Sequence, residues 1–315
     1  MDKIKLGIST CLLGEPVRYD GQHKLDPFLR DTLGTYVDYV PVCPEVEVGL
    51  GVPREAMHLE GDPASPRLVT IQTHIDHTDR MNAWARKRVE ALEAEGLCGF
   101  IFKSRSPSSG MERVKVFNDK GVAVKSGVGL FAAAFMAHFP LLPVEEEGRL
   151  QDPCLRENFI ERVFALQRWR AMLAEGRSLR NLVAFHTTHK YLLLSHSETH
   201  YRQMGKLVAE GRDLPAGERF PRYEALLLQA LALMATRRKH VNVLQHIMGY
   251  FKKQLGADEK QELLEIIGQY AEGIVPLVVP VTILNHFVRK YREPYLATQF
   301  YLHPHPIELQ LRNHG

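Results

Sequence analysis

The chain has few cysteines and no long apolar run, and both absences narrow what it can be. Its 315 residues include four cysteines, Cys11, Cys43, Cys98 and Cys154, and no two of them form a CxxC pair. This excludes a zinc ribbon, a thioredoxin-type motif and a disulfide scaffold. No stretch of about 18 apolar residues occurs, so no transmembrane helix is expected. The first residues lack a secretory apolar region, so a cytoplasmic location is expected.

Length and composition indicate a folded protein of two domains. The chain is 45% hydrophobic and 24% charged, and it is longer than one core usually organises. Residues 1–150 carry 18 Lys and Arg against 21 Asp and Glu, whereas residues 151–315 carry 22 against 16. The basic second part favours a polyanionic partner. Ordinary solvated helix faces would give the same imbalance.

Strand and helix patterns divide between the two parts. Residues 1–150 alternate short apolar strands with helices, which predicts an α/β domain with a mostly parallel, Rossmann-like sheet. The predicted strands are 3–9, 36–42, 67–71, 99–103, 113–117 and 141–145, and the predicted helices are 77–95 and 129–139. Residues 151–315 predict an all-α domain. Its predicted helices are 158–173, 179–195, 198–210, 223–236, 238–254, 258–270 and 281–291.

Three predicted loops bring reactive side chains to one edge of the sheet. The first strand runs into Cys11, the second into Cys43 and Glu45, and strand 99–103 into the Ser/Gly-rich loop 104–110. The carboxyl ends of parallel strands meet at one edge. Thiolates and backbone N–H groups around a small cavity suit a metal or an iron–sulfur cluster, with Glu45 as general acid or base. Each feature alone is also typical of a small core residue or a turn.

The segments around these loops resemble a known family. STCLLG…RYDG, VCPEVEVGLGVPRE and GFIFKSRSPSSGMERVKVF resemble the signature segments of the bacterial thiouracil desulfidases. VAFHTTHKYLLLSHS, RRKHVNVLQHIMGYFKK and PYLATQFYLHPHP resemble the helical domain often found beside them, a pairing similar to the tRNA 4-thiouridine desulfidases. The resemblance implies a 4Fe-4S cluster held by three cysteines, whose open iron binds the sulfur of a thiocarbonyl base. The implied reaction is a redox-neutral hydrolysis to uridine and sulfide.

The implied ligand positions are Cys11, Cys43 and Ser109. The third is a departure, because the family pattern is SPSCG and this chain has SPSSG. Serine is a hard, high-pKa ligand, whereas such clusters are held by soft thiolates. Cys98 precedes the strand that carries this loop, at the end away from the site, so it is a poor substitute. The change resembles a deliberate Cys→Ser exchange or a natural inactive variant, and an impaired chain with an absent or damaged cluster is expected.

The resemblance also implies roles for other residues. Glu45 would act as general acid or base toward the attacking water. Ser106 matches a pocket serine that would bind the base or orient the nucleophile. Four further residues are predicted to shape the substrate pocket: Ser9, Arg18, Asp20 and Arg105.

The helical domain is expected to bind the tRNA whose base reacts in the α/β domain, because Lys and Arg contacts to phosphates supply sequence-independent affinity. The predicted contacts are His186, His189, Lys190, Arg237, Arg238, Lys239, Lys252 and Lys253. The two histidines lie three apart on one helix face, which also fits a metal pair or a structural role.

Other functions stay open at this point. A cysteine hydrolase or transferase would use Cys11 or Cys43 as its nucleophile, although no histidine stands beside either in the sequence. A nucleic-acid-binding module without chemistry is consistent with Ser109. Free thiouracil and thiolated nucleotides are alternative substrates.

Overall fold

The computed structural model describes residues 3–211 and 214–314, which form two units that divide between Asp152 and Pro153. The first unit is α/β and the second is helical, so the predicted fold classes are confirmed. None of the helices within the described ranges is both long and apolar enough to span a membrane.

The α/β unit contains eight strands and three α-helices within the described residues. Its strands are β1 (Ile4–Ser9), β2 (Val37–Val42), β3 (Met57–Asp62), β4 (Ser65–Thr70), β5 (Phe100–Phe102), β6 (Val114–Phe117), β7 (Ala123–Gly127) and β8 (Val144–Glu146). Its helices are α1 (Pro44–Glu47), α2 (Thr78–Glu93) and α3 (Leu130–His138).

These strands form two sheets rather than one. The first has the order β2-β1-β5-β8 and all its pairings are parallel, as the sequence predicted. The second has the order β4-β3-β6-β7 and is mixed, with a parallel β3–β6 pairing between two antiparallel pairs. Strands β3 and β7 were not predicted, because MHLEGD and AVKSG contain few apolar residues. The second sheet is therefore a correction to the predicted architecture.

Close packing between β1 and β5 fixes the positions of their loops. A Cβ at Gly7 would lie 2.2 Å from a ring carbon of Phe100, so only glycine allows this approach. Phe100 packs in turn against Phe102, Phe131 and Phe135, with centroid separations of 4.5, 5.7 and 4.7 Å. This aromatic core packs against the central strands, and because β1 and β5 are parallel, their carboxyl ends face the same edge.

The helical unit contains eight α-helices within the described residues. They are α4 (Pro153–Glu175), α5 (Leu179–His196), α6 (Glu198–Ala209), α7 (Ala216–Ala232), α8 (Arg237–Met248), α9 (Ala257–Glu272), α10 (Val278–Lys290) and α11 (Pro294–Ala297). Helix α7 begins earlier than predicted and contains Pro221, which obscures its start in the sequence.

A buried ion network links the two ends of this unit. Arg312 donates to Glu157 at 2.9 Å and to Glu161 at 3.2 Å, and His196 contacts the other oxygen of Glu161. Burial raises the pKa of Glu161, but the hydrogen bond from His196 and the charges of His196 and Arg312 outweigh it and hold that pKa well below its usual range. Helix α4 is thereby tied to a residue more than 150 positions further along the chain.

Candidate active site in the α/β unit

The three predicted loops surround one cavity of about 430 Å³, called here the edge cavity. It lies beyond the carboxyl ends of β1, β2 and β5, where a parallel sheet usually carries its functional residues. Of the residues predicted from the sequence, those that line it are Ser9, Cys11, Arg18, Cys43, Glu45, Arg105, Ser106 and Ser109.

Each implied ligand position comes from a different loop. Cys11 lies in a 3₁₀ turn, Thr10–Leu13, directly after β1. Cys43 joins β2 to α1, and Ser109 follows β5 in a loop where its backbone N–H donates to Ser106 Oγ at 3.1 Å. Cys98 is fully buried, and its backbone N–H pairs with Lys5 at the opposite end of β5, away from the cavity.

Both cavity thiols are held in an environment that favours the protonated form. Burial raises the pKa of Cys11 to about 11, with the positive charge of Lys103 partly opposing it. Burial, reinforced by the Glu45 carboxylate, raises the pKa of Cys43 to about 12. Near neutral pH the chain therefore presents two thiols rather than two thiolates at this edge.

Glu45 connects the loops of β2 and β5 through hydrogen bonds. Its Oε1 accepts from Ser108 Oγ at 2.5 Å, and Ser108 Oγ lies 3.0 Å from Ser106 Oγ. Its Oε2 lies 3.5 Å from Cys43 Sγ. Ser106, Ser108 and Glu45 thus form a continuous chain of hydrogen-bonding groups that ends at a thiol.

Two residues of this arrangement were missed in the sequence. Ser108 is fully buried, and its neighbours in the loop gave no sign of which serine contacts Glu45. The Arg54 side chain is only 8% exposed, and its Nη2 lies 3.8 Å from Glu45 Oε2. Arg54 also donates to the carbonyls of Val17 and Gly51, at 3.0 and 2.9 Å. The available signal was its place in the segment VCPEVEVGLGVPRE.

Not all of the residues predicted to shape the pocket line the edge cavity. Ser9 accepts from the Lys103 backbone N–H at 2.9 Å and so ties β1 to the loop after β5. Asp20 is exposed and does not line the edge cavity, which corrects its assignment as a pocket residue. It lies 3.5 Å from Arg18, which does line the cavity. Arg105 is exposed, with a left-handed backbone at φ 59°.

The side chains present do not fit a cluster that needs three thiolates. The edge cavity offers the thiols of Cys11 and Cys43 and the hydroxyl of Ser109. Within residues 3–211 and 214–314, no three His, Cys, Asp or Glu side chains are grouped closely enough to hold a metal ion. An alcohol does not supply the soft, anionic third donor that such a cluster requires.

The two histidines predicted to contact RNA lie inside the helical unit, which corrects that assignment. His189 is 1% exposed, and its Nε2 accepts from Arg168 at 2.9 Å. His186 lies 3.0 Å from the hydroxyl of Tyr223, and burial lowers its pKa to about 4. Helical spacing placed both histidines on one face, and that face is turned inward.

Three of the other predicted contacts line a groove of about 660 Å³, called here the helical groove. They are Lys190, Arg238 and Lys239. Arg237 instead lines a separate cavity of about 280 Å³. Lys252 and Lys253 are exposed but lie outside the helical groove.

Comparison with known proteins adds to this geometry. Residues 6–147 match the family model described as 2-thiouracil desulfurase. The chain is also 30% identical over 155 residues to the protein YbgA of Escherichia coli strain K12, which covers 49% of this chain and 92% of YbgA. Residues 6–147 form a domain of the 2-thiouracil desulfurase family, so the resemblance seen in the sequence is confirmed. Residues 190–306 match a second model, described as a protein of unknown function, DUF1722.

A solved structure is also similar to this chain. The 4Fe-4S-dependent thiouracil desulfidase TudS is 32% identical, with a TM-score of 0.40, and the match covers 48% of this chain and 95% of TudS.

The raised thiol pKa values predict slow alkylation of the site cysteines. At pH 8 we expect iodoacetamide to modify the exposed Cys154 at least about tenfold faster than Cys11 or Cys43, because only thiolates react. The ratio of the Cys154 rate to the Cys11 and Cys43 rates should decrease as the pH rises toward 11, where the site thiols ionise. Peptide mass spectrometry measures each rate, and the urea-unfolded chain is the control in which all four cysteines should react alike. Equal rates in the folded chain would contradict the raised pKa of both site thiols.

Proposed function

We propose that the edge cavity is a site for hydrolysis of the thiocarbonyl group of a thiolated uracil carried in tRNA, and that the reaction needs a third thiol at position 109, which this chain lacks. The observation that supports the chemistry most directly is the position of Glu45, which contacts Ser108 from one loop and Cys43 from another beside the edge cavity. A cavity of about 430 Å³ is within the range that holds small ligands.

Hydrolysis exchanges the sulfur of the C4 thiocarbonyl for the oxygen of water, so neither an oxidant nor a reductant is consumed. Ser108 occupies Oε1 of Glu45, which leaves Oε2 as the oxygen that accepts a proton when water adds to C4. That oxygen lies 3.5 Å from Cys43 Sγ and 3.8 Å from Arg54. As the C–S bond breaks, Glu45 returns this proton to the departing sulfur and the added hydroxyl gives up its own proton to the sulfide as the C4 carbonyl forms, so the products are a uridine in the tRNA and hydrogen sulfide.

The helical groove supports a nucleic acid as the carrier of the base. Lys190 Nζ lies 5.4 Å from the ring centroid of Tyr191, and both residues line the helical groove together with Tyr201. Lys190 Nζ also lies 5.2 Å from the ring centroid of Tyr295, which is not part of that lining. Cations interleaved with aromatic rings are typical of surfaces that bind phosphates and unpaired bases. Free thiouracil would need no such surface.

Replacement of the groove cations is expected to weaken tRNA binding. In the variant Lys190→Gln/Arg238→Gln, affinity should fall and the slope of log affinity against log salt should decrease by about 1 to 2, because each lost phosphate contact no longer releases counterions. Lys239 is left in place, since its Nζ donates to the carbonyls of His196 and Met234 and supports the start of α8. Fluorescence anisotropy at several salt concentrations measures both quantities.

Lys252→Gln/Lys253→Gln is the matched control, because it removes the same charge from exposed positions outside the helical groove. An equal loss of affinity in the two variants would mean that net charge, rather than the helical groove, holds the tRNA.

The serine at position 109 favours a second candidate, a tRNA-binding protein without turnover. Two thiols and a hydroxyl do not make the donor set of an iron–sulfur cluster. Under this alternative the chain binds thiolated tRNA with no release of sulfide, even after a third thiol is supplied. Sulfide release from 4-thiouracil and from tRNA containing 4-thiouridine, measured on the Ser109→Cys variant, separates the two functions.

A further inference from the structure

The outer face of the second sheet carries cations that the proposed reaction does not use. Leu59, Leu68, Val114 and Val116 point inward and pack into one apolar cluster with residues of α2 and α3. The alternate residues of the same strands point outward and line a groove of about 760 Å³, called here the sheet face. Its outward residues are His58, Lys115, Phe117 and Lys125.

Two of these cations stand directly opposite each other. Lys115 of β6 pairs in register with Lys125 of β7 across the antiparallel ladder. Both are exposed, and no carboxylate of the described chain forms an ion pair with either. Like charges in directly opposed positions destabilise a sheet, and a bound anion would relieve their repulsion.

The carboxylates beside the sheet face already have partners, including Glu60, which stands opposite Phe117, pairs with Arg67 and lies 3.4 Å from His58 Nε2. Glu146 accepts the backbone N–H groups of Met111 and Glu112, at 2.6 and 3.4 Å. Glu112 itself pairs with Arg149 at 2.9 Å. The lysines therefore keep their charge, although residues 1–150 as a whole have more acidic than basic side chains. Charge complementarity consequently favours a polyanion on this face.

An aromatic platform lies beside the lysines. The rings of His58 and Phe117 stack with centroids 4.9 Å apart and an interplanar angle of 29°. Both side chains are half-buried. Aromatic rings on the outer face of a sheet, next to Lys and Arg, are a recurrent way to hold unpaired RNA bases. The combination fits a base and its neighbouring phosphates rather than a simple inorganic anion.

The sheet face is continuous with the edge cavity. Four residues line both: Met57, Ser104, Arg105 and Pro107. Arg105 is exposed, has a left-handed backbone, and forms no ion pair with any carboxylate among residues 3–211 and 214–314. A strand whose reacting base enters the edge cavity would have its adjoining nucleotides beside Arg105 and over the sheet face.

We infer that the sheet face binds a single-stranded stretch of RNA next to the thiolated base, with phosphates on Lys115 and Lys125 and a base stacked on Phe117. The inference rests on the proposed function, and it adds an RNA contact within the α/β unit itself. The helical groove then supplies only part of the RNA affinity.

Binding of fluorescein-labelled hexauridylate to the full chain tests this site. Lys115→Gln/Lys125→Gln should weaken binding at least about fivefold and lower the salt slope by about 1.4, which is the value for two phosphates of a single strand. Phe117→Leu should weaken binding about fivefold or more with an unchanged salt slope, because stacking releases no counterions. The matched control is Arg86→Gln/Lys87→Gln on the exposed side of α2, where binding should change less than twofold.

Three results would overturn the inference. One is an equal loss in the control variant, which would indicate a general charge effect. Another is unchanged hexauridylate affinity in both sheet-face variants. The third is an equal loss of affinity for uridine 5′-monophosphate, which would indicate a mononucleotide site. Sulfide release from free 4-thiouracil is measured in the Ser109→Cys background with and without the lysine changes. If neither protein releases sulfide, the proposed function is contradicted. The inference about the sheet face is not, because hexauridylate binding does not depend on turnover.

Discussion

The Ser109→Cys variant, prepared without oxygen, is expected to contain iron and sulfide and to release sulfide from 4-thiouracil, whereas the chain with Ser109 does neither. Ser109 is 3% exposed and lines the edge cavity with Cys11 and Cys43, so the substitution supplies a third thiol without reshaping the loop. Iron and sulfide analysis, absorbance at about 400 nm and a sulfide assay measure the gain.

Ser108→Cys is a demanding control for this result. It places a thiol one residue away, at a side chain that donates to Glu45 instead of lining the cavity. We expect no cluster in it. A Ser109→Cys protein that stays free of iron, or a Ser108→Cys protein that binds as much, would contradict the assignment of position 109 as the third ligand position.

Adding Glu45→Gln to the Ser109→Cys variant is expected to lower turnover about 100-fold or more, which is typical when general acid–base assistance is removed. Glutamine can still accept from Ser108 at one oxygen, so the loops should keep their positions. Iron content should stay unchanged, because Glu45 is not one of the ligand positions. Steady-state sulfide release measures turnover, and iron analysis measures the cluster content.

Glu47→Gln in the same background is the matched control. Glu47 lies on the same short helix but outside the edge cavity, where it pairs with Arg88 at 2.9 Å and accepts the Cys43 backbone N–H. Glutamine retains an acceptor for that N–H, so turnover should change little. Undiminished turnover in the Glu45 variant, or an equal loss in the Glu47 variant, would remove Glu45 from the proton transfer.

The sequence predicted the edge cavity because the loops that follow parallel strands can lie only at one edge of the sheet. Cys11, Cys43 and the loop after β5 each follow a strand, and parallel neighbours bring such loops to one edge. What each loop residue contacts depends on local backbone geometry, which no spacing rule provides. The roles of Ser108 and Arg54 therefore emerged only from the three-dimensional arrangement.

Periodicity also identified the helices better than it identified their exposed faces. His186 and His189 are polar residues on a face that packs inward, where Tyr223 and Arg168 satisfy them. The second sheet was missed for the opposite reason, since β3 and β7 contain too few apolar residues to stand out. That omission concealed the opposed lysines of the sheet face, which follow from register and not from composition.

The link between Arg312 and helix α4 has a consequence for the order in which the chain can fold. Glu157 and Glu161 leave the ribosome about 150 residues before Arg312, the cation that both carboxylates contact. A buried carboxylate without its partner costs about 3–5 kcal/mol. The first helix of this unit can therefore form early in synthesis, and Glu161 can meet His196 before Arg312 has been made. Burial of Glu157 is unfavourable until residue 312 has emerged, so we expect this side of α4 to complete its packing late in synthesis.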